Sequence, residues 1–171
     1  FYNCTSLTSV TIPNSVTSIG YEAFYNCSSL ASVTWNAKAC QDFSSAPFSA
    51  LTSIIFGEGT EHIPAYLCNV TNKIPTITLP SSVKSIGSKA FTAVNFVHIN
   101  ATTPPALTSE NIVNNAALIV VPDDALASYK SASIWSALSK QIVGKTNLKQ
   151  REVTITANPS QSALHVALGE S

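Results

Sequence analysis

The chain contains no methionine, and charged residues make up only 11% of its 171 positions, 9 Lys plus Arg against 9 Asp plus Glu. A net charge of zero on so few ionisable groups leaves no basic stripe to neutralise phosphates or to hold an anionic bilayer. A nucleic-acid partner and an electrostatic membrane contact are therefore excluded. No run approaches the ~18 consecutive apolar residues of a membrane span, and the first residues do not form a signal peptide. The missing initiator, together with a first residue that already lies inside a repeat, points to a processed or excised fragment, with any secretion signal upstream.

The four cysteines (Cys4, Cys27, Cys40, Cys68) form no Cys-x-x-Cys pair, and their spacing alone defines no disulfide framework. The three histidines (His62, His98, His165) have no Cys, Asp or Glu at metal-ligand spacing, so no metal and no cofactor are expected. Gly57-Glu58-Gly59 lacks the lysine and the following helix of a phosphate loop. Nothing in the sequence points to an enzyme. What the chain does have is 45% apolar residues, enough for a sizeable core, and a surface that must be built from Ser, Thr and Asn.

Those apolar residues recur. Residues 7–19 read "LTSVTIPNSVTSI" and residues 74–86 read "IPTITLPSSVKSI". Extended, the pattern is L-x-x-V-x-I, then apolar positions four and seven residues later and an aromatic five further on. Its first copy is Leu7, Val10, Ile12, Val16, Ile19 and Phe24; its second, Leu30, Val33, Trp35, Cys40, Phe43 and Phe48. The third is Leu51, Ile54, Phe56, Thr60, Ile63 and Cys68, and the fourth Ile74, Ile77, Leu79, Val83, Ile86 and Phe91. A fifth opens with Val94, Val97 and Ile99 before the pattern dissolves. The period is about 23 residues, the length of one solenoid coil.

Each x-V-x-I segment alternates with period two and predicts a short strand with its Val and Ile inward, so Val10, Val33, Ile54, Ile77 and Val97 should stack in one column. Pro13 and Pro80 close two of these strands. Gly20 and Gly87 are placed to take a positive φ if the turn demands one, and "YEAF" and "SKAF" predict about one helical turn. Cys4 and Cys27 share a repeat position, read as a column of small buried side chains, with a disulfide between adjacent coils conceivable.

The motif F-x-N-C-x-S-L-x-S-V-x-I-P-x-S-V-x-S-I-G-x-x-A-F, from Phe1 through Phe24 and again in weaker form from Phe24, resembles the leucine-rich repeats of the bacterial surface-protein type known from treponemes and Bacteroidetes. "ATTPPAL" (101–107), "ALIVVPDDALASYKSASIWSAL" (117–138) and "QIVG" (141–144) are similar to the unit that closes such arrays in gut Bacteroidetes, with Val121–Pro122, Tyr129–Lys130 and Trp135 at its signature positions. The resemblance implies an α/β solenoid of short parallel strands with a helical C-terminal cap: a repeat array over residues 1–100, a terminal strand and cap over 101–144, and a linker with a β hairpin or the start of a further β domain over 145–171. Asp123 or Asp124 is placed to cap the helix after Pro122, with an interruption near residues 131–133. In the tail, Val153 and Ile155 form one candidate strand, and Leu164, Val166 and Leu168 another.

For function the resemblance implies adhesion: a non-catalytic module on a secreted or cell-surface protein of a host-associated bacterium, binding a protein or glycan on host or neighbouring cells. A solenoid's strand face is its natural contact surface. Outward positions there include Thr11, Thr34, Ile55, Thr78, Phe96 and His98; Ile55, Phe96 and His98 stand out as candidate anchors among small hydroxyl groups. Phe96 is either exposed or covered by residues 101–116. Tyr21, Tyr25 and Tyr66 fall on the opposite, turn-rich side. The alternative function is a spacer that displays another extracellular domain and has no ligand of its own.

Overall fold

The computed structural model describes residues 1–70, 73–109 and 111–147. The hairpin proposed around Val153, Ile155, Leu164, Val166 and Leu168, and His165 with it, lie outside these residues. In chain order the strands are β1 (Ser9–Ile12), β2 (Ser32–Trp35), β3 (Ser53–Phe56), β4 (His62–Ile63), β5 (Ile74–Leu79), β6 (Ser85–Ile86), β7 (Val94–Ile99), β8 (Ala106–Leu107), β9 (Leu118–Val121) and β10 (Ile142–Gly144). They make a β-solenoid whose parallel-strand turns average about 22 residues, closed by a short helical element near the C-terminus.

The longer strands stack into two parallel ladders, β1-β2-β3 and β5-β7-β9-β10; a third, β4-β6-β8, runs along the opposite flank. Register follows the repeat. Val10 faces Val33 and Val33 faces Ile54, while Ile77 faces Val97 and Val97 faces Ile119. β3 packs beside β5 without joining the ladders into one sheet, so the inner column runs in two segments.

Strand burial alternates as a period-two pattern requires. In β3, Ile54 and Phe56 are buried and Ser53 and Ile55 exposed; in β5, Ile77 and Leu79 are buried and Thr76 and Thr78 exposed. The buried side chains form one continuous core from Ile12 to Ile142. Each fully buried Val, Leu or Ile adds roughly 1.5–3 kcal/mol. A single coil brings too few of them to outweigh its ordering entropy, and stacking supplies the rest. Thr60, polar at an apolar repeat position, is accommodated because its Oγ1 lies 3.4 Å from the Trp35 carbonyl oxygen, to which it donates. Cys68, a thiol where other coils place a ring, is fully buried, and burial raises its pKa. All four cysteines are free thiols.

The turns differ from the sequence expectation. Residues 21–24 and 88–90 form turns rather than a helix. The left-handed φ falls on Glu22, Tyr66 and Lys89, the same corner position of three coils, and not on Gly20 or Gly87. Gly87 serves another purpose. A Cβ there would sit 2.3 Å from the Ala65 nitrogen and 2.8 Å from Asp42 Oδ1, so glycine permits the close approach of neighbouring coils. The fifth coil does not dissolve: β8 pairs with β6, and Val113 bridges to Phe91.

The cap begins at Pro122 with a 3-10 turn, Asp123–Ala125, leading into α1 (Leu126–Ser131). Neither Asp123 nor Asp124 caps the helix through its side chain. The Asp123 carboxylate instead accepts from the Thr146 amide at 3.1 Å and from its hydroxyl at 2.7 Å, tying the returning chain to the cap. The interruption expected near residues 131–133 is present, and a second 3-10 turn, Trp135–Leu138, follows. Tyr129 and Trp135 meet edge to face at 5.0 Å, and both polar atoms are satisfied. The phenol donates to the Ala101 carbonyl at 2.8 Å and the indole to the Pro105 carbonyl at 2.7 Å. A segment with two consecutive prolines has no ladder N–H to offer at either residue, and here the carbonyl of Pro105 is paired from a side chain.

Candidate functional site

The strand face is built by the outward positions of the two ladders. Thr11, Thr34 and Ile55 lie side by side across β1, β2 and β3. Thr78 faces His98 across β5 and β7, and His98 faces Val120 on β9. Phe96 sits between Thr76 and Leu118. Thr11 and Thr78 are exposed, Thr34 and His98 half-buried, and Ile55 and Phe96 are 61% and 36% exposed. Residues 101–116 therefore leave Phe96 open to solvent. Phe96 and His98 are neighbours on one strand; Ile55 lies on β3, and β5 with its threonines intervenes in chain order. Val120 and Val143, further along the same outward row, are buried.

The opposite flank is polar and cross-linked between coils. Glu61 lies between two lysines, 3.3 Å from Lys38 Nζ and 3.0 Å from Lys84 Nζ. The hydrogen bond from Lys84, reinforced by Lys38, holds its carboxyl below the usual range. Next to it, Ser85 Oγ is 2.8 Å from His62 Nδ1, and His62 Nε2 is 2.9 Å from Asp42 Oδ1, which also accepts from the Ala65 amide at 2.8 Å. This is the order of contacts in which an imidazole can activate a hydroxyl. The repeat itself accounts for it: Asp42, His62 and Ser85 each directly precede the inward residue of their turn, Phe43, Ile63 and Ile86. They meet as cross-strand partners of successive coils do. Sequence reading treated His62 alone, since its partners are a full coil away. Among the described residues no group of three or more His, Cys, Asp or Glu could hold a metal ion, and no helix is long and apolar enough to cross a membrane.

Aromatic rings repeat on this flank as well. Phe1 stacks on Phe24 at 5.4 Å and Tyr2 on Tyr25 at 5.2 Å, while Phe24 meets Phe48 at 5.0 Å. Lys89 Nζ lies 5.5 Å from the centre of the Tyr66 ring, and Tyr21 stands 81% exposed.

Stacked parallel strands, one regular outer face and cross-linked corners define a leucine-rich-repeat solenoid, an architecture typical of protein–protein interaction rather than catalysis. The profile of the BspA type leucine rich repeat region matches residues 1–109 in 6 copies, and the chain belongs to that family. Proteins of this type are typically secreted or surface-exposed. No curated protein matches the chain.

Proposed function

We propose that the chain is an adhesin-like binding module of a secreted or cell-surface bacterial protein, of the kind found in host-associated Bacteroidetes, and that it engages a protein or glycan on host or neighbouring cells through its strand face. Residues 1–100 supply the array and 101–144 close it. The observation that carries this reading is Ile55, 61% exposed at the end of a row whose other members are the threonines Thr11 and Thr34. A large aliphatic side chain set on a flat hydroxyl surface has the make-up of an interface anchor, and Phe96 on β7 provides a second. Thr11, Thr34 and Thr78 would form the adaptable surround, with His98 at its edge.

The test is binding of the wild-type chain and of the Ile55→Ser/Phe96→Ser double variant to immobilised extracellular-matrix proteins. Loss of the anchors is expected to weaken binding by roughly tenfold or more. The low charge makes that binding only weakly dependent on salt. Unchanged binding by the double variant refutes the strand-face assignment, and a chain that binds none of these proteins fits the spacer function instead.

A further inference from the structure

We propose that the cleft between the corners of the first two coils is a binding site for a neutral saccharide. The cleft has a volume of about 460 Å³ and is walled by residues 19–26 of the first coil and residues 42–49 of the second. That volume falls within the range of about 300–1,000 Å³ usual for small-molecule sites. It lies on the corner flank, away from the strand face, and depends on neither Ile55 nor Phe96.

Its chemistry is that of a polyol site. Tyr21, Tyr25 and Phe43 contribute rings, against which the C–H face of a sugar can lie. Asp42, Asn26 and Ser44 contribute acceptors and donors for its hydroxyls. Several of these groups are fixed before any ligand arrives. Tyr25 is stacked on Tyr2 with their planes 22° apart, and Phe43 is held edge-on against Trp35 at 6.2 Å. Asp42 Oδ1 is committed to the His62 ring and the Ala65 amide, which orients the carboxylate with Oδ2 outside both bonds. Asn26 donates its amide to Asn3 at 3.0 Å, which leaves the Asn26 carbonyl as an acceptor. Groups already held in place lose little entropy on binding. Tyr21, 81% exposed at the rim, is the large apolar surface that a ligand would cover.

The same lining argues against other ligands. It contains no Lys, Arg or His, and its charged members are Glu22 and Asp42. Phosphorylated, sulfated or carboxylated ligands would meet two carboxylates and no counter-charge. An ammonium group would use the rings and carboxylates but not the donor hydroxyls of Ser44 and Ser45, which a polyol engages.

The experiment presents the full chain to immobilised neutral hexose and N-acetylhexosamine oligosaccharides, to sialylated and sulfated counterparts, and to an oligolysine peptide. Titration calorimetry with the strongest neutral oligosaccharide follows. Binding to neutral members is expected. Tyr21→Ala, which removes an exposed ring and should leave the melting temperature unchanged, is expected to weaken it roughly 3- to 10-fold. Ser44→Ala should weaken it further, and Ile55→Ser/Phe96→Ser should leave it intact, so the cleft and the strand face succeed or fail separately. The proposal is overturned if no neutral oligosaccharide binds, if only the sialylated, sulfated or cationic probes bind, or if Tyr21→Ala and Ser44→Ala bind as the wild type does.

Discussion

The two tryptophans offer a matched test of how this core is held, because both are fully buried and they differ in what their indole N–H meets. Trp135 Nε1 donates to the Pro105 carbonyl at 2.7 Å, whereas Trp35 Nε1 has no hydrogen-bond partner among the described residues. Replacing either by Phe removes the five-membered part of the indole, a packing loss of roughly 1–2 kcal/mol. At Trp135 the change also strands the Pro105 carbonyl beneath the cap, which adds about 1–3 kcal/mol. The expected total for Trp135→Phe is therefore about 2–5 kcal/mol. At Trp35 the same change deletes an orphan donor whose burial itself costs about 1–3 kcal/mol. Gain and loss then offset, and Trp35→Phe should fall within about 1 kcal/mol of wild type. Urea unfolding followed by far-UV circular dichroism measures both, since a shift in midpoint at constant slope reports stability directly. Coils of a solenoid can open one at a time, so amide exchange at Ala106 and Ile119 is needed to separate loss of the cap from loss of the whole array. The reasoning fails if Trp35→Phe is as damaging as Trp135→Phe, or if the latter costs less than about 1 kcal/mol.

Two glycines give a second contrast: Gly87→Ala would force a Cβ to 2.3 Å from the Ala65 nitrogen, while an added Cβ at Gly20 meets nothing within 4 Å. Thermal melts should show Gly87→Ala destabilised by about 1–3 kcal/mol and Gly20→Ala neutral or slightly stabilised. At high pH, burial raises the Tyr129 pKa above its ordinary value of 10.0, so the folded state keeps a proton that the unfolded state gives up. Its stabilising effect is complete below pH 10.0 and falls as pH rises beyond it. Stability measured from pH 8 to 11 should decline, and Tyr129→Phe should leave only the slope due to the buried thiols Cys40 and Cys68, whose pKa values burial also raises.

What repeats in this chain was legible in its sequence, because a period-two pattern written at solenoid spacing leaves one choice of inward side. Val10, Val33 and Ile54, and again Ile77 and Val97, meet in the register that the pattern requires. Local rules failed where a neighbouring coil decides the outcome. Glycine was the natural candidate for a left-handed turn, yet Glu22, Tyr66 and Lys89 take that conformation, and Gly87 is used for close approach to Ala65. Asp123 follows a strand-ending proline, as a helix cap would, but its carboxylate binds Thr146 on the returning chain. His62 looked solitary because ligand spacing is sought within one stretch of sequence, whereas Asp42 and Ser85 reach it from the coils before and after. The usable signal was present in the alignment of the copies: in a solenoid, residues in the same slot of adjacent coils are contacts.

The same logic locates function. An inward slot is fixed by its neighbours above and below, so its residue reports packing, and even Thr60 and Cys68 are absorbed there. An outward slot touches only its lateral neighbours and is free to depart from the column, so a departure carries information that conformity does not. Ile55 breaks a row of threonines on the strand face, and Tyr21 stands at a corner beside a cleft lined with hydroxyls and carboxylates. Neither side chain is needed to hold the coils together. Replacing either should alter what the protein binds and leave its melting curve unchanged.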